Sequence, residues 1–420
     1  MKIDENLQHA SFIISITVNN MSNLPTTRQF KKLSDVCIIE RGWSPRPIKE
    51  FLTNDENWIN RIKIWDTKNQ TKYINHTAEK IKPEWVKRSR MVYPWDFILS
   101  NSMSFGKPYI MQTSGCIHDW RLVLRPDESI DKDFMYLLLW SQFMYNKFEQ
   151  TAAWTWVKNL NIGKVKIIEI PLPPIATQHK IVSILDQISL KISTNTTHIR
   201  SQLDHLDELW ASSLSEVFEK WWWETKTISD ISHKIQYWYT GKTIENWKVR
   251  YLRITDIQNN NVNWEMVPFV KISQEEAKKY ELNIGDVVFA RTGATVWKSF
   301  LINETWKDKI FASYLIRVVP NYKYLKPEFL KYFFQSWKYR SQIFADVVWA
   351  AQPNFNGKKL GQIQIPLPSL EIQTSIVSQL DEVSQTISSL RSQYTAQLQH
   401  YDELWASVLD QAFCGKLVQE

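Results

Sequence analysis

"IPLPPIATQHKIVSILD", residues 170–186, is answered by "IPLPSLEIQTSIVSQLD", residues 365–381. The two stretches lie 195 residues apart, and the same offset carries "LDELWAS" from Leu206 to "YDELWAS" from Tyr401. It also carries "LSDV" from Leu33 to "ISDI" from Ile228, and Asn159 and Asn161 of "NLNIGKV" to Asn354 and Asn356 of "NFNGKKL". Self-similarity at a fixed period marks a repeated structural unit. The 420 residues are therefore two copies of one plan, each a globular head followed by a helical connector. The connectors nearly match, whereas the heads differ at most positions.

The prolines of each "IPLP" bar a regular helix, so these segments read as extended exits from the heads. Beyond them, apolar residues recur at Ile181, Leu185, Ile188, Ile192, Ile199, Leu203, Leu206, Trp210 and Leu214, with Asn195 filling a polar gap. The second connector places Ile376, Leu380, Val383, Ile387, Leu390, Tyr394, Leu398, Tyr401, Trp405 and Leu409 equivalently. Steps of four and three alternate, with extra four-steps at the same places in both copies, which is the pattern of a coiled-coil seam with a stutter. Two matched seams predict pairing with each other as an antiparallel coiled coil. About 40 residues at 1.5 Å rise give a rod of roughly 60 Å, a spacer holding two heads at its ends.

Within the heads, "FILSNSM" and "VVFARTG" read as apolar strands running into loops, and "RLVLRP" and "YLIRVVP" as strands ending at proline. "DFMYLLLWSQFMYNKF" and "EFLKYFFQSWKYRSQIF" read as the helices that follow. The fold class is α+β: two strand-rich heads in tandem, each followed by a long helix. The repeat sets the boundaries at 28–173 and 224–368 for the heads, and at 174–223 and 369–420 for the connectors. Residues 1–27 have no counterpart in the second copy and read as an N-terminal extension.

Composition adds an oddity. The chain has 21 Trp and 10 Gly, where average usage gives roughly 29 Gly. Aligned heads set Trp95-Asp96 against Gly285-Asp286 and Gly106-Lys107 against Trp297-Lys298, so the two residues exchange in both directions. In Tyr93-Pro94-Trp95-Asp96, proline suits position i+1 of a type II turn, whose next residue needs φ > 0 and hence glycine. The exchange predicts that most of these tryptophans, "WWW" at 221–223 included, stand at glycine positions, as a UGA codon read in the cell as glycine would produce. Trp264 and the seam pair Trp210 and Trp405 are the expected exceptions. The competing reading is an aromatic surface for stacking bases.

The formal charge of +7 and pI near 9.0 favour a polyanionic partner. The three cysteines show no CxxC spacing, which gives neither a zinc site nor a disulfide framework and fits a reducing cytoplasm. "FIISITV" at 12–18 is too short for a membrane span and lacks the flanks of a signal peptide. No phosphate-cradling, HExxH, GxSxG or dinucleotide fingerprint appears, so no catalytic residue, metal or cofactor is expected. Two polar, basic loops occupy the same place in the two heads: "SNSMSFGK" at 100–107 and "ARTGATVWK" at 290–298. Asn101, Ser102, Ser104, Lys107, Arg291, Thr292, Thr295 and Lys298 carry side chains suited to base edges and phosphates, arginine above all to guanine.

The whole pattern, from about residue 28 on, resembles the specificity subunit of type I restriction-modification systems. The twofold "IPLP" followed by Gln178 and Gln373, the "NLN" and "NFN" segments, the Asp-led strand starts and the C-terminal "LDQAFCGKL" carry the resemblance. It implies that the heads are target recognition domains, each reading half of a split site in double-stranded DNA, with the coiled coil fixing an unread gap. It also implies docking of two methylation subunits and of restriction subunits, the chain itself doing no chemistry and crossing no membrane. Gln178, Ile181, Leu185 and Ile188, with Gln373, Ile376, Leu380 and Val383, are the residues expected in partner docking or the coiled coil. The alternative is the recognition part of a fused restriction-methylation enzyme with its own nuclease site.

Overall fold

The computed structural model describes residues 29–414 except 45–46, 54, 56–57, 64–65, 67–71, 101–105, 120, 153–159, 221, 259–260, 291–298, 304–307 and 348–355. The chain forms two compact units, Met1–His198 with Ala396–Glu420, and Ile199–Thr395. Two long helices, Ile175–Phe218 and Leu370–Cys414, of 44 and 45 residues, each contribute to both units.

In the first unit a five-stranded sheet runs in the order Cys37–Arg41, Arg121–Pro126, Phe97–Ser100, Pro108–Met111, Tyr73–Ile74. A second sheet runs Leu52–Thr53, Glu79–Ile81, Ile59–Ile62, Gly115–Ile117, Arg90–Val92. The inner strand Phe97–Ser100 is buried along its whole length, which is why it reads as an unbroken apolar run. Side chains on a strand alternate between faces, and the cores follow that period. Phe97, Leu99, Leu122 and Leu124 share one core with the helices, whereas Ile98 and Val123 share another with Ile62, Val92 and Ile117 of the second sheet. The main sheet is thus the middle layer of its unit.

The second unit repeats this plan. Its main sheet runs Ser232–Tyr237, Leu315–Pro320, Val287–Ala290, Ser299–Leu301, and its second sheet Thr243–Ile244, Phe269–Val270, Val249–Leu252, Lys309–Phe311. Val287, Phe289, Ile316 and Val318 face the helical core, while Val288, Ala290, Phe300 and Leu315 face the core containing Trp264.

Each "IPLP" is extended as expected and closes its head by pairing antiparallel with the incoming strand. Gln29–Lys32 pairs with Glu169–Leu172, and Thr225–Thr227 with Gln364–Pro366. The frame bonds repeat at the same offset: Leu33 N–H donates to Ile168 O at 2.8 Å, Ile228 N–H to Ile363 O at 2.9 Å.

One expectation is corrected. The helix after each proline-ended strand is two helices, Lys132–Trp140 with Gln142–Ala152 and Pro327–Phe333 with Trp337–Val347. Ser141 causes the first break: its hydroxyl donates to Leu138 O at 2.6 Å and accepts from Met144 N–H at 3.3 Å. Ser336 does the same with Phe333 O at 2.7 Å and Tyr339 N–H at 3.3 Å. A serine that offers the backbone an alternative partner ends one helix and caps the next.

The seam pairing appears within each unit. In the first, Ile181, Leu185 and Ile188 share a core with Val408, Leu409, Ala412 and Phe413, the opposite end of the other long helix. In the second, Leu214 and Phe218 share one with Ile376 and Leu380. Start meets end in both, so the helices run antiparallel. The polar gap is occupied too, with Asn195 Nδ2 donating to Tyr401 Oη at 3.2 Å.

Candidate nucleic-acid interface and helical platform

Both sequence-predicted loops lie in the chain between two strands of the main sheet that pair antiparallel. Phe97 pairs with Ile110 and Leu99 with Pro108 in one head; Val287 pairs with Leu301 and Phe289 with Ser299 in the other. Of the eight residues expected to contact DNA, Asn101, Ser102, Ser104, Arg291, Thr292, Thr295 and Lys298 lie outside the described residues. Lys107 is exposed, with Nζ 5.7 Å from the Trp140 ring centroid. The loop's foot in head one is tied by Gly106 N–H donating to Ser100 O at 2.9 Å.

The strand that leads to each loop starts at a buried aspartate. Asp96 is 7% exposed and Asp286 3%. Each carboxylate folds back onto its own turn, accepting from Tyr93 N–H at 3.0 Å and from Asn283 N–H at 2.6 Å. Each also meets an arginine from the neighbouring strand, Arg125 Nε at 3.1 Å and Arg317 Nη2 at 2.5 Å. Burial pushes both carboxyls up, and the turn N–H and the guanidinium oppose it. These pairs tie the turn at the start of each hairpin to the strand beside it. The arginines escaped the sequence reading because a strand's period says which face a residue occupies, not which partner waits there.

Gln178 and Gln373, expected in partner docking or the coiled coil, lie at the first turns of the two long helices. Both are 0% exposed. Gln178 Oε1 accepts from Asp131 N–H at 2.7 Å, while Nε2 donates to Ser129 O at 3.0 Å and Pro173 O at 2.8 Å. Gln373 repeats the set with Lys326 N–H at 2.9 Å, Tyr324 O at 2.8 Å and Pro368 O at 2.9 Å. Each amide fastens the first turn of a long helix to the loop before its head's own helix. Ile181, Leu185, Ile188, Ile376 and Leu380 are buried in the helical cores, and Val383 is half-buried.

One titratable group in head one gives a pH-dependent expectation. Burial, with the guanidinium groups of Arg121 and Arg61 nearby, pushes His118 down from 6.5 to about 4. The folded state therefore binds this proton more weakly than the unfolded chain, and stability is lost as pH falls from about 6.5 towards 4. The ceiling is about 3 kcal/mol, reduced by partial solvent screening. Denaturant midpoints measured across this window should fall with acid, and the His118→Gln variant should show a shallower slope, by up to one proton. Equal slopes would remove His118 as the cause.

Two heads that share a frame and differ in their hairpin loops, on matched antiparallel helices, define a two-headed recognition adaptor. Residues 25–205 and 222–400 each match the type I restriction modification DNA specificity domain, and the chain belongs to that family. It is 22% identical to the type I restriction enzyme EcoKI specificity subunit of Escherichia coli (strain K12) over 362 residues, 80% of this chain and 77% of that one. It is 21% identical to the MjaVIII specificity subunit of Methanocaldococcus jannaschii over 347 residues, 77% of this chain and 78% of that one. Among solved structures, a chain from work on complex assembly and conformational transition of the type I R-M system matches with a TM-score of 0.72. That likeness is at 18% identity and covers 93% of this chain and 98% of the other. The HsdS subunit from Thermoanaerobacter tengcongensis matches at 0.56, also at 18% identity, over 93% and 97%. These structural likenesses establish the fold. No helix among the described residues is long and apolar enough to cross a membrane.

Proposed function

We propose that this chain is the DNA-reading subunit of a cytoplasmic type I restriction-modification complex. Each head reads one half of a split, non-palindromic duplex sequence, and the paired helices set the unread gap between the halves. Two methylation subunits, joined by restriction subunits, assemble on the chain and supply the chemistry. The observation that supports this most is the contrast within the repeat. The buried glutamines and the frame bonds recur at an offset of 195 residues, whereas "SNSMSFGK" and "ARTGATVWK" do not resemble each other. A shared frame gives a repeated partner the same surface twice; unlike loops give two different readings.

Methylome sequencing of the source cell, with and without this gene, tests the reading. One bipartite motif should vanish on deletion and return on complementation. Complementation with Arg291→Ala should relax one base position of one half-site, a discrimination of about 1–3 kcal/mol if the guanidinium reads a guanine. Lys107→Ala should lower methylation at all sites alike, because a phosphate contact carries no sequence information. A methylome unchanged by deletion would sink the proposal. Native mass spectrometry of the co-expressed complex should give two methylation subunits per chain.

A further inference from the structure

Packing and backbone set Trp95 apart from the tryptophans of the cores. Trp264 is 3% exposed in the core of head two, with its ring 6.4 Å from Phe300. Trp210 packs edge-on against Tyr332 at 5.6 Å, and Trp405 packs on the core of the first unit. These rings fill space that nothing else fills. Trp95 is the other kind: it is 46% exposed and its φ is +75°. For a bulky residue that left-handed conformation is strained.

The equivalent residue in the other head is a glycine in the same conformation. Gly285 has φ +87°. The two turns are bonded alike: Trp95 N–H donates to Met111 O at 2.8 Å and Asp96 N–H to Tyr93 O at 3.0 Å. In head two Gly285 N–H donates to Ile302 O at 2.8 Å and Asp286 N–H to Asn283 O at 3.0 Å. A Cβ on Gly285 would lie 1.9 Å from the hydroxyl of the exposed Tyr322, so a side chain there would have to push that ring aside as well as adopt the left-handed backbone. The reverse exchange has the same form, since Gly106 sits at φ +75° opposite Trp297, which lies outside the described residues. Trp43 and Trp222, at 57% and 61% exposed, follow Gly42 and interrupt the head-to-head linker, and neither belongs to a core.

We infer that the polypeptide made in the source cell carries glycine at Trp95 and at the other exposed turn and linker tryptophans, and tryptophan at Trp210, Trp264 and Trp405. A single codon read as glycine in that cell and translated here as tryptophan accounts for exchange in both directions. UGA, one base from the glycine codon GGA and one from the tryptophan codon UGG, is that codon. On this assignment "WWW" at 221–223 is a triple-glycine linker where one repeat unit hands over to the next, and the packing of Trp223 on the core of the second unit is a contact the native chain does without. A consequence is confinement: a cell that reads UGA as stop truncates the subunit in its first head, so the gene works only among cells sharing the code.

Peptide mass spectrometry of the chain purified from its source cell tests this directly. Glycine residue masses are expected at 95 and 221–223, and a tryptophan mass at 264; tryptophan at 95 overturns the inference. A second measurement uses the recombinant chain as given. Trp95→Gly should raise the thermal midpoint by about 3 °C, by relieving the left-handed strain. Trp95→Ala removes the same ring but keeps a Cβ, and should not raise it. Trp264→Gly should lower it by roughly 10 °C. Equal midpoints for the glycine and alanine variants at 95 would show that the turn does not require glycine.

Discussion

Gln373→Leu should destabilise the second unit by roughly 3 kcal/mol or more and abolish readout of one half-site. The side chain is fully buried and serves three backbone groups, Lys326 N–H, Tyr324 O and Pro368 O. Leucine has a similar volume and no polar atom, so it leaves those groups buried without a partner, at about 1–3 kcal/mol for each. Gln178→Leu should do the same to the first unit through Asp131 N–H, Ser129 O and Pro173 O. Chemical denaturation of the isolated chain, followed by a probe in each unit, reads the effect. A docking glutamine would behave oppositely: the isolated chain would keep its stability, and only assembly with methylation subunits would weaken. If that second pattern appears, the inward placement of these amides is wrong.

The glutamines also show where sequence ended and structure began. Their recurrence at 195 residues was visible, as was their position at the head of a coiled coil, but repetition does not say whether a polar side chain faces in or out. The seams were legible because burial on a helix repeats every three and four residues, and Ile181, Leu185, Ile376 and Leu380 obey that period. The main-sheet strands were legible as apolar runs, since both of their faces are covered. The breaks at Ser141 and Ser336 were not, because a serine inside an apolar helical pattern becomes a cap only when its hydroxyl finds the carbonyl three residues back. Trp95 was legible for another reason: the second repeat supplies Gly285, so the chain carries its own comparison. The loops offer no such check. They differ between heads, and what such a loop contacts depends on geometry that no period encodes.

Lengthening both long helices should change the gap in the methylated sequence and leave both half-sites as they are. The chain passes from one unit to the other after His198 and returns after Thr395. One heptad inserted at each of these points leaves the contacts inside each unit in place, including Asn195 with Tyr401 in the first and Arg391 with Asp207 in the second. Seven residues keep the seam in phase, because the apolar pattern repeats every seven. They add about 10 Å of helix to each rod, the length of roughly three base pairs at 3.4 Å each. The methylome of cells carrying the variant should show both half-sites unchanged and the gap longer by about three. Three base pairs also turn the duplex by roughly a hundred degrees, so a head must meet its groove from a new direction and the level of methylation should fall. An insertion of three or four residues in place of seven throws the seam out of phase, and should cost stability rather than move the gap. If the heptad variant still methylates the original spacing, the helices are not the ruler, and the distance between half-sites is set elsewhere in the complex.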